Sequence, residues 1–319
     1  MIQMIPSSKA EIIKQFEPRR IMYAFHDIDG THSLIRKWVP VMSIVLHNVI
    51  ENGLQEGYDS QREVNRLINE AGKEKLEETD RFCIESAGLS ALTQMEWAIR
   101  RGIENGVIKV RADADKNTEI IRKIWEGCEM FDNISEPHEM KELLAEHTPR
   151  LFKMYERVLN GACRDKNLAQ ARKEPEKWRV NGSMEFLKML KDGGVKNYFV
   201  TGAVVEKGYG MYEEVEALGF EVGENKLIEG LCGSTWEKKI PKSMAMKELC
   251  SQLDIRSENL LVVGDGRSEM KTGVDMGAIT ISRLPEEETR MRQLHKDLGV
   301  NLIVKDYTSL SFLEMFKPI

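Results

Sequence analysis

Five short apolar runs constrain this chain more than any other feature. Ile21–Phe25, Tyr198–Val200, Leu260–Val263, Ile279–Ile281 and Leu302–Val304 are β-rich, and Gly, Asp or Asn lies near each. Short apolar runs bounded by turn residues read as strands buried on both faces, the habit of a parallel sheet. Helical stripes lie between the runs. Phe186, Leu187 and Leu190 form one that stops at Gly193-Gly194, with Asn181 placed to cap its start. Met246, Leu249 and Leu253 form another. Strand alternating with helix predicts an α/β fold, a doubly wound parallel sheet of Rossmann-like type.

The first run stands far from the other four. From about 34 to 175 the chain shows no convincing strand. Trp38, Val41, Met42, Val45, Leu46 and Val49 mark one face of a helix. Leu92, Met95, Ile99 and Ile103 mark a second, and Ile121, Ile124, Trp125 and Cys128 a third. Met140, Leu143, Leu144, Leu151, Met154, Tyr155 and Val158 continue the pattern, although Pro149 is expected to kink or break that helix. The expectation is therefore a core of residues 1–33 plus 176–319 and an all-helical insert of residues 34–175. The charged stretch Gly161–Lys177 reads as a solvated return linker or a short helix.

A length of 319 residues suits two domains, and 41% hydrophobic with 31% charged residues is a globular composition. The net charge of −6, with no basic stripe, argues against a nucleic-acid partner. No run approaches the eighteen apolar residues of a membrane span. The first residues lack the basic-then-apolar order of a signal peptide, so the expected location is cytoplasmic. Five cysteines, none close to another in sequence, suggest neither a disulfide framework nor a zinc knuckle. The seventeen methionines read as core filling.

Four places carry chemistry. In Phe25-His26-Asp27-Ile28-Asp29-Gly30-Thr31 two carboxylates follow a strand and precede a glycine turn. Strand ends of a parallel sheet open into the crevice where ligands bind. Two carboxylates at one spot repel, so they need a cation, a shared proton or separate roles, and hard oxygen ligands favour Mg²⁺. An Asx turn ending the strand is the plain alternative. The second place is Val262-Val263-Gly264-Asp265-Gly266-Arg267-Ser268-Glu269, again acids beside glycines at a strand end. The third is Thr201-Gly202, a hydroxyl expected at the end of the strand over Tyr198–Val200; it could equally cap the next helix. The fourth is Lys242, near a helix start, where a lysine is ordinarily a solvated charge.

Together these residues resemble the signature of the haloacid dehalogenase superfamily of phosphotransferases: D-x-D-G-T, then a strand-end Thr or Ser, a Lys, and G-D with a second acid downstream. All occur here in that order. The long interval between Asp27 and Thr201 is similar to members whose helical cap is inserted after the first strand. The resemblance implies that Asp27 is a nucleophile forming an aspartyl-phosphate, and Asp29 a general acid and then base. It implies Mg²⁺ held by the Asp27 carboxylate, the Asp29 carbonyl and the Asp265 carboxylate, with Glu269 behind them. Thr201, the Gly202 N–H and Lys242 would bind the phosphoryl group, with Lys238 and Lys239 as alternatives to Lys242.

The implied function is a Mg²⁺-dependent phosphatase acting on a small-molecule phosphate ester, a sugar phosphate or nucleotide, without nucleic acid or membrane as partner. A phosphomutase could use the same site, and a non-catalytic binding protein could keep the fold alone. Two residues depart from the family's usual pattern. His26 precedes the nucleophile where an apolar residue is common; strand alternation turns it away from Asp27 and makes it structural. His32 follows Thr31 where Leu is common, and it is expected to face substrate. With Arg36 and Gln94 it completes the candidate substrate contacts.

Overall fold

The computed structural model describes residues 3–5, 10–35, 38–131, 134–208, 210–236 and 238–316. In chain order its strands are β1 (Gln3–Ile5), β2 (Ala10–Ile12), β3 (Tyr23–His26), β4 (Lys196–Glu206), β5 (Gly230–Ser234), β6 (Leu260–Gly264), β7 (Ile279–Arg283) and β8 (Leu302–Val304). They form one sheet in the order β1-β2-β8-β7-β6-β3-β4-β5. Only the β1–β2 and β2–β8 pairings are antiparallel; every other neighbouring pair is parallel.

The helices preceding β4 are α1 (Trp38–Asn52), α2 (Gln61–Glu70), α3 (Glu77–Glu85), α4 (Ala91–Glu104), α5 (Ala114–Trp125), α6 (His138–Leu159), α7 (Asp165–Ala171), α8 (Pro175–Trp178) and α9 (Ser183–Asp192). Those after it are α10 (Gly210–Ala217), α11 (Lys242–Gln252), α12 (Arg267–Met276) and α13 (Thr289–Leu298). The contacts divide the chain into two compact units. One comprises Met1–Ile35, Leu168–Ser234 and Ile240–Ile319, and the other Arg36–Asn167 and Thr235–Lys239. No helix among the described residues is long and apolar enough to cross a membrane.

In the sheet unit, β3 shows why the central strands are rich in apolar residues. Ala24 packs with Leu261, Val263, Phe186 and Leu190 on the α9 face. Its neighbour Phe25 packs with Val262, Met246, Leu249 and Met270 on the face of α11 and α12. Alternation sends successive side chains to opposite faces, both covered by helices, so neither position tolerates a polar residue. β3 lies between β4 and β6, so the connections diverge from it to either side; this is the switch point at which a parallel sheet opens a crevice. The helix expected to be capped by Asn181 starts one residue later. Its N-cap is Gly182, at φ +78°, where a Cβ would lie 2.2 Å from the Tyr307 carbonyl oxygen.

The helical unit buries the stripes seen in the sequence. Val45, Leu46 and Val49 of α1 are wholly buried, as are Met95 and Ile99 of α4. The rings of Phe82 and Trp97 stack at 3.7 Å. α2 and α3 add two helices without a legible stripe. Arg100 is buried but paired with Glu96 and Glu136, as a buried charge must be. Pro149 sits inside α6, which runs through it without a break. It forfeits one backbone hydrogen bond, and burial of Leu151, Phe152 and Met154 just beyond it offsets that loss. Asn160–Arg164 form a π turn leading into α7, where a linker or short helix was expected.

Candidate functional site

The carboxyl ends of β3 and β6 set the site. Alternation along β3 puts His26 on the α9 face and Asp27 on the side of α11 and α12. The Asp27 N–H donates to the Val263 carbonyl at 2.9 Å, which extends the β3–β6 ladder one residue past the strand. Lys242, at the first position of α11, brings its Nζ to 2.7 Å from Asp27 Oδ1 and 3.0 Å from Glu269 Oε2. Glu269 lies in the first turn of α12 and accepts the Gly266 N–H at 2.5 Å. This carboxylate therefore also satisfies a backbone donor at the helix start, where the dipole favours negative charge. Asp265 completes the group: carboxylate oxygens of Asp27, Asp265 and Glu269 all lie within 4.8 Å of one another.

Two contacts that sequence reasoning missed hold the turn after Asp27. Thr31 donates its hydroxyl to Asp265 Oδ1 at 2.9 Å. Arg283, at the end of β7, donates to the Gly30 carbonyl at 2.8 Å and to the Lys305 carbonyl at 2.9 Å. Thr31 stands in the motif and could have been suspected, whereas nothing local marks Arg283. Gly30 itself is obligatory. Its φ is +73°, and a Cβ would lie 2.0 Å from Asp265 Oδ2.

Buried like charges dominate the electrostatics. Burial pushes the Asp27 carboxyl up to about 7 against the pull of Lys242, with Glu269 and Asp29 adding to the rise. Asp265 is raised well above the carboxylate range by burial and by the Asp27 and Glu269 charges. Burial would also raise Glu269, but the Lys242 charge and hydrogen bonds outweigh it and hold it low. For Lys242 burial works against the ammonium, yet Asp27, Glu269 and Asp265 keep it charged. The cluster thus has more negative charge than one lysine balances. Clustered, buried carboxylate oxygens are the donor set that hard divalent cations take, so these residues fit such an ion.

The other expected residues are distributed as follows. Asp29 is partly buried and near enough to Asp27 to raise its pKa. Thr201 is not at a strand end, because β4 runs on to Glu206. It lies instead where the β4–β5 register shifts between Val200 and Val204. Its Oγ1 accepts the Ala203 N–H at 3.1 Å, a bond that leaves its own hydroxyl proton available. Gly202 belongs to the same interruption, where β4 loses its regular ladder. Lys239 lies 3.4 Å from Glu96 and donates to the Glu129 carbonyl at 3.0 Å, while Lys238 is exposed.

One substrate expectation is corrected. His32 is fully buried, bonded to Ser183 and His26 and stacked on Tyr307 at 5.3 Å, so it has no face to offer a substrate. Gln94 is buried within the helical unit and donates to Ser86 at 2.8 Å. Arg36 lies outside the described residues.

In fold, the chain is similar to haloacid dehalogenase-superfamily proteins. A β-phosphoglucomutase from Clostridium difficile is 12% identical, covering 92% of this chain and 95% of that one, at TM-score 0.48. A HAD family hydrolase from Deinococcus radiodurans, solved with bound phosphate and sodium, is 13% identical, covering 94% and 99%, at TM-score 0.42. A hydrolase from Pseudomonas syringae is 12% identical, covering 93% and 100%, at TM-score 0.47. No family model and no curated protein matches the sequence.

Proposed function

We propose that the chain is a Mg²⁺-dependent phosphatase of the haloacid dehalogenase type, acting on a small phosphorylated metabolite. The observation that carries this reading is the buried contact of Lys242 with Asp27, beside Asp265 and Glu269 at the switch point of the sheet. Burying one cation among three carboxylates costs desolvation that a purely structural role could avoid with apolar residues.

In this reading Asp27 attacks phosphorus in line. Its Oδ–P bond forms as the ester P–O bond breaks, giving an aspartyl-phosphate and an alcohol. Asp29 protonates the departing oxygen, then takes a proton from the water that cleaves the aspartyl-phosphate. Lys242 pairs with the phosphoryl charge, and the Thr201 hydroxyl and Gly202 N–H donate to phosphoryl oxygens. The Asp27 and Asp265 carboxylates and the Asp29 carbonyl would hold Mg²⁺, with Glu269 orienting Asp265 and Lys242. The ion supplies charge neutralisation between two anions, nucleophile and phosphate. The helical unit would act as the cap that selects the alcohol.

Phosphate release from a panel of sugar phosphates, nucleotides and aryl phosphates, with and without Mg²⁺, tests the proposal. Release that requires Mg²⁺ supports it. A panel silent with Mg²⁺ present rejects the phosphatase and turns attention to phosphoryl transfer within one substrate or to binding alone.

A further inference from the structure

His26 and His32 bracket the Asp27–Thr31 turn, yet the chemistry above uses neither. Both are wholly buried, with ring centroids 5.0 Å apart. One line of hydrogen bonds runs through them. Asn197 Oδ1 meets His26 Nε2 at 3.2 Å, His26 Nδ1 meets His32 Nε2 at 3.1 Å, and His32 Nδ1 meets Ser183 Oγ at 2.6 Å.

The direction of every bond follows from the far end. Asn197 Nδ2 donates to the Leu187 carbonyl at 3.0 Å and to the Leu227 carbonyl at 3.2 Å. That consumes both amide protons, so Oδ1 can only accept, and His26 Nε2 must donate. Both rings are wholly buried, and their side-chain hydrogen bonds go to Asn197, to Ser183 and to each other, with no carboxylate among them to balance a charge. Both rings are therefore neutral, and a neutral imidazole has one donor and one acceptor. His26 Nδ1 then accepts from His32 Nε2–H, which leaves His32 Nδ1 to accept the Ser183 hydroxyl proton.

We propose that the one-way chain Ser183–His32–His26–Asn197 is the device that positions the nucleophile turn, with His26 and His32 as positioning residues for Asp27. His26 immediately precedes Asp27 and His32 immediately follows Thr31, so the bond between the rings closes the turn at its base. One end is anchored on β4 through Asn197 and the other on the first residue of α9 through Ser183. The backbone reinforces the closure, since the His32 and Ser33 N–H groups both bond the Ile28 carbonyl, at 2.8 and 2.9 Å. An apolar pair could fill the same space, but directional bonds also fix register, and an attacking carboxylate depends on placement to within about 1 Å. The proposal rests on Asp27 being the nucleophile.

Two measurements test it. In ¹⁵N-labelled wild-type protein at neutral pH, NMR should show His26 and His32 as neutral Nε2–H tautomers; a charged ring or an Nδ1–H tautomer at either position overturns the chain. His32→Phe keeps the aromatic packing but removes donor and acceptor, whereas His32→Gln keeps one of each. With the phosphate ester that the panel finds turned over best, Phe should lower kcat roughly 10- to 100-fold with KM within about threefold, and Gln should recover most of that loss. A folded Phe variant with wild-type kcat, or Gln no better than Phe, overturns the positioning role. Should Phe fail to fold, the tautomers still decide the matter. Correct tautomers in a wild-type protein that neither releases phosphate from any ester nor moves it within one would remove the nucleophile role of Asp27, and the positioning role with it. Wrong tautomers in an active enzyme remove the positioning role alone.

Discussion

Asp27 is defined by its neighbours. Asn at position 27 preserves volume but cannot form an acyl phosphate, so turnover should fall by at least about 10³-fold. Glu269 still pairs with Lys242 in that variant, so the circular dichroism spectrum should not change. Retained activity in the purified protein would refute the nucleophile role. Gly30→Ala is the second informative change. The φ of +73° costs about 1 kcal/mol for Ala, and the new methyl must displace the Asp265 carboxylate. Stability should drop by roughly 1–3 kcal/mol and Mg²⁺ affinity at least about tenfold. Denaturant titration and calorimetry with Mg²⁺ check both, and an unchanged Mg²⁺ affinity would mean that Asp265 holds no metal. At this scale the acids and glycines were legible because D-x-D-G-T and G-D-G are local patterns. The Arg283 clamp and the buried state of His32 were not, since their partners lie far along the chain: Gly30 and Lys305 for the one, Ser183, Phe186 and Tyr307 for the other.

Elements that announce themselves do so through periodicity, and those that do not are built by their neighbours. β6 and β8 are apolar along their length and could be read directly. β5, with the sequence Gly-Leu-Cys-Gly-Ser, has little strand propensity and forms because β4 offers it a ladder. α2 buries only Val64 and Leu67 fully, too few to draw a stripe. The packing of α13 on β7 carries a pH test. His295 of α13 is buried, its Nδ1 2.7 Å from the Ser282 hydroxyl of β7, and burial lowers it to about 4 against the raising influence of Glu269. The unfolded imidazole binds a proton near 6.5 and the folded one does not, so the unfolded state gains protons as pH falls. Stability is therefore fully present above about 6.5 and is lost toward 4, by up to roughly 1.4 kcal/mol per pH unit. Urea unfolding of wild type and His295→Gln at several pH values should show the wild-type advantage shrinking across that window. A difference constant with pH would mean that His295 is not held neutral.

At the scale of the molecule, the helical unit interrupts the sheet unit between Ile35 and Leu168, and the segment Thr235–Lys239 belongs with it. In that unit the Trp236 and Phe152 rings lie 5.4 Å apart, and Lys239 pairs with Glu96. Replacing the helical insert with a Gly-Ser linker should leave slow hydrolysis of a small aryl phosphate while preference among natural esters collapses. The variant needs Trp236→Ser, because that ring would lose Phe152 and favour aggregation. A folded variant that kept the parent's substrate ranking would remove the selecting role of the insert. By itself the sequence determined the alternation of strand and helix, the long strandless insert and the identity of the acids, because periodicity and turn chemistry are properties of neighbouring residues. Only the tertiary structure decided that Lys242 meets Asp27, that Thr201 sits on a register shift within a longer strand, and that His32 turns inward. Those outcomes depend on the β3–β4 and β3–β6 registers and on where α9, α11 and α12 begin, which long-range packing sets and no local pattern encodes.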